Sequence, residues 1–244
     1  MDVPLLNILY QDDVLVAVDK PSGMFVHRSR DNRHCERFIV QDLRDQIGQF
    51  VYPLHRLDRG TSGILLFSLT QDVASIMGKM FAERKIRKTY QALVRGFCPE
   101  FGTVDQPMTS AKARTLAADD PRRTPQAAVT DFICRRRFDV PVSTGRFPST
   151  RLSLLEVHPL TGRFHQIRRH LNYIAHPVIG DSSHGDTRVN RVFRDTFGFD
   201  RLMLAAVRLE FPHPLTREPV VIVCEPDESF RQCVEAVAPF EQPL

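Results

Sequence analysis

The apolar positions of this chain change period several times, and each change marks an element. Ile8–Tyr10 and Val14–Asp19 read as short strands around a polar Gln11-Asp12-Asp13 turn, and Pro21-Ser22-Gly23 breaks the second. From about His34 to Ile47, Val40, Leu43 and Ile47 recur at helical spacing, with Gly48 as a stop. Ile64–Phe67 is an apolar run short enough for a buried strand, and Val73, Met77, Met80 and Phe81 then predict an amphipathic helix, weakened by Gly78. Tyr90, Ala92 and Val94 alternate with polar residues in a strand that ends at Gly96. Residues 117–126, with two prolines and several charges, read as an exposed loop. Strands follow near Val129–Arg135 and Arg151–Val157, separated by a Pro141–Pro148 loop. Phe164–Ile174 reads as a helix with Ile167, Leu171 and Ile174 inward and His165, Arg168, Arg169 and Asn172 on the opposite, polar face. Leu202–Phe211 and Val220–Cys224 form a hairpin, and a helix near Phe230–Val237 closes the chain.

Strands dominate without regular strand–helix alternation, which predicts an α+β fold with a mixed, largely antiparallel sheet and flanking helices. A chain of 244 residues can bury a substantial core, as one large domain or two intimately joined lobes. Five cysteines, an odd number without C-x-x-C spacing, argue against a disulfide framework and a thiolate zinc site. The N-terminus lacks a basic segment and a long apolar core, and no run approaches a membrane span, so the chain reads as cytosolic. The net charge of +4 is mild, but 28 of the 33 basic residues are arginine. The planar guanidinium fork suits phosphate and base stacking, although G+C-rich codon usage would enrich arginine as well.

The stretch with most chemistry in it is His55-Arg56-Leu57-Asp58-Arg59-Gly60-Thr61-Ser62-Gly63-Ile64-Leu65-Leu66-Phe67. Its glycines and Thr-Ser pair predict a tight turn that leaves Asp58 at the mouth of a strand, between Arg56 and Arg59. A fixed carboxylate in a basic setting suits nucleophilic or proton-abstraction chemistry on a polyanion; a lone R-x-D-R would otherwise be a surface ion pair. Three further segments accompany it: Asp19-Lys20-Pro21-Ser22-Gly23-Met24, Lys88-Thr89-Tyr90-Gln91-Ala92-Leu93-Val94-Arg95-Gly96, and Leu160-Thr161-Gly162-Arg163-Phe164-His165-Gln166-Ile167-Arg168-Arg169-His170-Leu171, followed by His176-Pro177-Val178-Ile179-Gly180-Asp181. Together they resemble the large pseudouridine synthase family that acts on ribosomal and transfer RNA.

The resemblance implies the pseudouridine synthase fold with a central cleft. It makes Asp58 the catalytic carboxylate, and Arg168 the arginine that holds that carboxylate. By alternation alone Tyr90 reads as a core tyrosine; by resemblance it stacks on the target base. The arginine two residues before the aspartate, here Arg56, fills the space left by the flipped base. Arg59, Arg163 and Arg169 become RNA or structural contacts, and arginines of Arg188–Arg194 join the phosphate-binding rim. The Lys20 segment is read as a turn-shaping element. Leu202 is either the apolar wall under the base or core packing, and Ala205 stands where the family carries a histidine. Asp58, Tyr90 and Arg168 are expected to converge in one cleft.

The reaction so implied needs no cofactor and no metal. His165, His170 and His176, spaced five and six residues apart, do not share a helical face as metal ligands would. A glycoside hydrolase would need two carboxylates flanking the bond, and Asp181 is the nearest candidate for the second. A non-catalytic RNA-binding module would present aromatic platforms, yet the chain has no Trp and only four Tyr. Residues 1–244 are expected to form a single catalytic domain without an N-terminal S4-type module, and to act as a monomer. The segments 141–151 and 180–191 resemble the branch of the family that modifies uridine 65 in the T stem of tRNA, in preference to ribosomal RNA.

Overall fold

The computed structural model describes residues 5–28, 35–109, 117, 120, 124–145 and 147–244. Residues 1–4, His34, Arg146 and much of the loop expected at 117–126 lie outside these. The chain divides into two compact units, Met1–Lys88 with Leu204–Glu228, and Thr89–Met203 with Ser229–Leu244.

In the first unit, β1 (Asn7–Gln11) and β2 (Leu15–Lys20) form the expected antiparallel pair, and β2 pairs with β4 (Ser62–Ser68). All seven residues of β4 are buried, as its uninterrupted apolar run requires. Two-residue β3 (Tyr52–Pro53) pairs antiparallel with the end of β4, while β9 (Leu204–Pro212) runs parallel beside its start. β10 (Pro219–Val223) completes the hairpin with β9. Strand periodicity sends Leu15 and Ala17, Ile64 and Leu66, and Leu209 and Phe211 to one face. Helix α2 (Gln71–Ala82) covers that face with Val73, Met77 and Met80. Thr70 caps α2 by accepting the Val73 N–H. Helix α1 (Ile39–Ile47) begins later than its periodicity suggests. Phe38 is extended, and the N–H groups of Ile39 and Val40 are taken by the carbonyls of Phe25 and Val26. Gly48 ends α1 in the left-handed conformation.

The second unit is built on antiparallel strands: β5 (Arg87–Arg95, shared at its first two residues with the first unit) pairs with β8 (Thr150–Pro159), and β8 with β7 (Val129–Val140). The far edge of β7 takes β6 (Phe101–Asp105) and short β11 (Glu241–Gln242). β7 runs five residues past the expected end at Arg135. A register shift between Cys134 and Arg136 restores the alternation, so Phe138 and Val140 return to the core. The arginine run that hid this is satisfied from neighbours: Arg135 by Glu156, Arg136 by Glu241, Arg137 by the Cys98 carbonyl.

Three helices complete this unit: α3 (Gln166–Tyr173), α4 (Thr187–Phe197) and α5 (Glu228–Val237). Pattern reading missed α4 altogether. It buries only Val189 and Phe193, but Asp186 caps its first turn through the Arg188 and Val189 N–H groups, and Gly198 closes it left-handed. The described architecture is thus a mixed, mostly antiparallel sheet with five helices among the described residues, as expected. None of those helices is long and apolar enough to cross a membrane.

Candidate active site

The Asp58 turn is closed by the Thr61 N–H, which donates to the Asp58 carbonyl at 3.1 Å. Leu57 and Thr61 are buried on either side, leaving Asp58 half-buried and Arg56 and Arg59 exposed. The backbone of this turn is held by the Lys20 segment. Gly23 N–H and Lys20 Nζ donate to the Arg59 carbonyl at 2.8 and 3.1 Å, and the Ser22 hydroxyl donates to the Gly60 carbonyl at 2.8 Å. Lys20 has no exposed surface and also donates to the Pro21 carbonyl. Burying an ammonium is tolerable because carbonyl acceptors replace its water. In return Arg59 Nε donates to the Gly23 carbonyl, and its guanidinium lies 5.1 Å from the Phe25 ring centroid. The segment expected to shape a turn therefore cradles the carboxylate-bearing loop, and Arg59 helps fasten it.

The turn leads into β4 at its contact with β9, where Ser62 faces Ala205 and Gly63 faces Ala206. Ala205 is fully buried there. His55, which the sequence left without a role, supports β4 from behind: its Nε2 accepts the Leu66 N–H at 3.1 Å, with its ring against Phe81. Burial, helped by the nearby Lys88 charge, pushes the His55 imidazole down to about 3. Lys88 is itself pushed down to about 8 by burial.

This sets a pH dependence. Below about pH 6.5 the unfolded chain binds a proton at His55 and the folded protein does not, so stability falls as pH drops from 6.5 toward 3. The slope from this one group reaches about 1.4 kcal/mol per pH unit. Urea unfolding at pH 6.5 and 4.5 should show a smaller acid loss for His55→Gln than for wild type; equal losses would contradict the assignment.

In the second unit Tyr90 lies on β5 opposite Val157 and is 9% exposed, as either a core residue or the lining of a slot would be. Arg168 departs from expectation. It was placed on an outward polar face, yet it is 6% exposed. Its Nε and Nη2 donate to the two oxygens of Asp181 at 2.7 and 2.6 Å. Five of the eight α3 residues are buried, three of them polar because partners await them. Gln166 reaches Thr161, Thr130 and the Val129 carbonyl, and His170 reaches Thr130 and the Gln106 carbonyl.

Asp181 Oδ1 also accepts the Ser183 and His184 N–H groups. Burial alone would raise its carboxyl, but hydrogen bonds from Arg168, His184 and Ser183 and the Arg168 charge hold it below the usual range. Both of its oxygens are committed, which disqualifies Asp181 as the second acid of a glycosidase. The pairing was hidden in sequence because twelve residues separate Arg168 from Asp181, and the resemblance directs Arg168 to Asp58.

Arg163 is exposed, with Nε on the Ala127 carbonyl, and Arg169 donates to the carbonyls of Thr109 and Phe164. Arg188, Arg191 and Arg194 are exposed along α4, while Leu202 is buried. The three histidines face different partners: His165 Nδ1 meets His184 Nε2 at 3.0 Å, His170 meets Thr130, and His176 meets the Arg95 carbonyl.

The turn around Asp58, the strand carrying Tyr90 and helix α3 all fall within residues 14–173, which match the family described as RNA pseudouridylate synthase; the chain belongs to that family. Among its relatives, it is 47% identical over 230 residues to tRNA pseudouridine synthase C of Vibrio parahaemolyticus, covering 93% of both chains. It is 45% identical over 228 residues to tRNA pseudouridine synthase C of Pasteurella multocida, covering 92% of this chain and 93% of that one. Solved structures carry the same fold. Human RNA pseudouridylate synthase domain containing 1 superposes with a TM-score of 0.70 at 26% identity, over 96% of this chain and 90% of that one. Human RNA pseudouridylate synthase domain containing 4 gives 0.73 at 24% identity, over 97% and 94%.

Proposed function

We propose that this protein, acting as a monomer, converts uridine to pseudouridine in tRNA, at position 65 of the T stem. The observation that carries the tRNA substrate is the 47% identity to a tRNA pseudouridine synthase C over 93% of both chains. Position 65 rests on the likeness of segments 141–151 and 180–191 to that branch of the family. The reaction breaks the N1–C1′ bond, turns the base and joins C5 to C1′; C5 releases a proton and N1 takes one up. Nothing is oxidised and no group is imported, so the chemistry balances without a cofactor.

Asp58 is the carboxylate that either attacks C1′ or removes the ribose 2′ proton. The resemblance gives Arg168 the part of the cation for that carboxylate, a part it suits because Asp181 fixes the Nε–Nη2 edge before any RNA arrives. Tyr90 offers its ring to the target base, and Arg56 fills the space that base leaves. Tritium release from C5-labelled uridine tests the assignment. A tRNA transcript with uridine at position 65 should release label, and one with cytidine there should not; equal release from both would overturn position 65.

Arg56 gives a sharper contrast. Flipping a stacked base costs roughly a few kcal/mol, and a target already unpaired has less stacking to lose. Arg56→Ala should lower kcat/KM on folded tRNA by about 10–100-fold, and by no more than about threefold on a short unpaired oligonucleotide. Equal losses would make Arg56 a support for Asp58 alone.

A further inference from the structure

We propose that Phe164 is a stacking platform for an unpaired base of the RNA, other than the reacting uridine; this rests on the RNA substrate of the preceding reading. Phe164 directly precedes His165, whose backbone is left-handed at φ 54°, a region that histidine tolerates better than most residues. That turn starts α3 and leaves the Phe164 ring outside it, 45% exposed. Its inner face lies on the His165 ring, with centroids 3.6 Å apart and planes 20° from parallel. The His165 ring meets His184 edge-on and bonds it at 3.0 Å, and the His184 N–H is fixed by Asp181, the partner of Arg168.

Single exposed apolar side chains are ordinary on protein surfaces. This one differs in being a flat aromatic face backed by a second ring and set in a connected series of contacts, so little freedom remains to be lost on binding. Its surroundings select the ligand. Arg163 precedes it in the chain with its Nε on the Ala127 carbonyl, and Arg169 donates from Nη1 to the carbonyls of Thr109 and of Phe164 itself. An exposed aromatic face on a segment that also carries two arginines fits a nucleobase and its phosphates, whereas an apolar protein partner would have to bury both charges. The scarcity of Trp and Tyr, which argued against aromatic platforms, leaves out the 17 phenylalanines.

Stacking on an aromatic side chain is worth about 1–3 kcal/mol per base, or roughly 5–150-fold in affinity. Phe164→Ala should raise KM for RNA by at least about fivefold with kcat within about twofold, and its melting temperature should match wild type. Phe164→Trp should restore KM; Phe164→Leu, apolar without a ring, should not. The chain has no tryptophan of its own, so Phe164→Trp also supplies a single fluorophore. Titration with RNA should quench it, as stacking on a base does, beyond any quenching of Phe101→Trp, another exposed phenylalanine. Transfer RNA and ribosomal RNA are assayed in parallel. Activity of wild type on ribosomal RNA alone would refute the tRNA reading, and Phe164 is then judged on that RNA. An unchanged KM for Phe164→Ala, full rescue by leucine, or no excess quenching on the RNA that wild type modifies would overturn the platform.

Discussion

Asp58→Asn is expected to lose turnover by roughly a thousand-fold or more while binding substrate RNA within about threefold of wild type. The two effects separate because different groups produce them. Affinity for RNA comes mostly from cations on phosphates, and the substitution leaves every arginine in place. Turnover depends on a carboxylate oxygen acting at the ribose, which an amide cannot replace. Asparagine is nearly isosteric, and the turn is held through backbone groups: the Asp58, Arg59 and Gly60 carbonyls accept from Thr61, Gly23, Lys20 and Ser22. The variant should therefore melt within a few degrees of wild type. Filter binding with the same tRNA, beside the tritium-release rate, checks both halves. Product formation at a near wild-type rate would remove Asp58 from the chemistry.

Gly63→Ala, at the start of β4, should be strongly destabilising for a change of one methyl group. Gly63 has φ +99°, and a Cβ there would lie 2.1 Å from the Ala206 carbonyl oxygen. Backbone strain of this kind costs about 1–3 kcal/mol. Overpacking costs about 1–3 kcal/mol more. The obstacle is the backbone of the paired strand β9, which cannot swing aside as a side chain would. A loss of roughly 2–6 kcal/mol takes a large part of ordinary domain stability. Melting temperature should fall by about 5–20 °C. Gly48→Ala separates the contributions, because Gly48 also has positive φ (+71°) but meets no atom within 4 Å. It should lose only the strain, a few degrees in melting temperature. Equal losses at the two glycines would show that the approach of β9 is not what requires Gly63.

Most of the fold was legible because its core elements carry clean periodicity. β2 and β4 carry the continuous apolar runs that burial on both faces demands, and α2 the helical spacing of Val73, Met77 and Met80. Legibility failed where polar groups do structural work. α4 buries two apolar residues and is otherwise defined by its caps, Asp186 and Gly198, and a search for hydrophobic repeats does not count caps. β7 continues through Arg135–Arg137 because Glu156, Glu241 and the Cys98 carbonyl receive those side chains, partners from elsewhere in the sequence.

The site divides in the same way. Asp58 and its turn could be read locally, since glycines and small hydroxyl residues specify a turn by themselves. The support from Lys20, Ser22 and Gly23 crosses 36 to 39 residues of sequence, and only the folded chain reveals it. Arg168 was correctly placed on a helix but on the wrong face, because a buried arginine is recognisable only once its carboxylate partner is known.

Mapping pseudouridine in total RNA from cells that lack this gene, complemented with wild type or with Asp58→Asn, tests the central claim most directly. Deletion should remove the modification at position 65 of tRNA and leave ribosomal RNA unchanged, wild type should restore it, and Asp58→Asn should not. Persistence of the position-65 modification in the deleted strain, or its restoration by Asp58→Asn, would contradict the account.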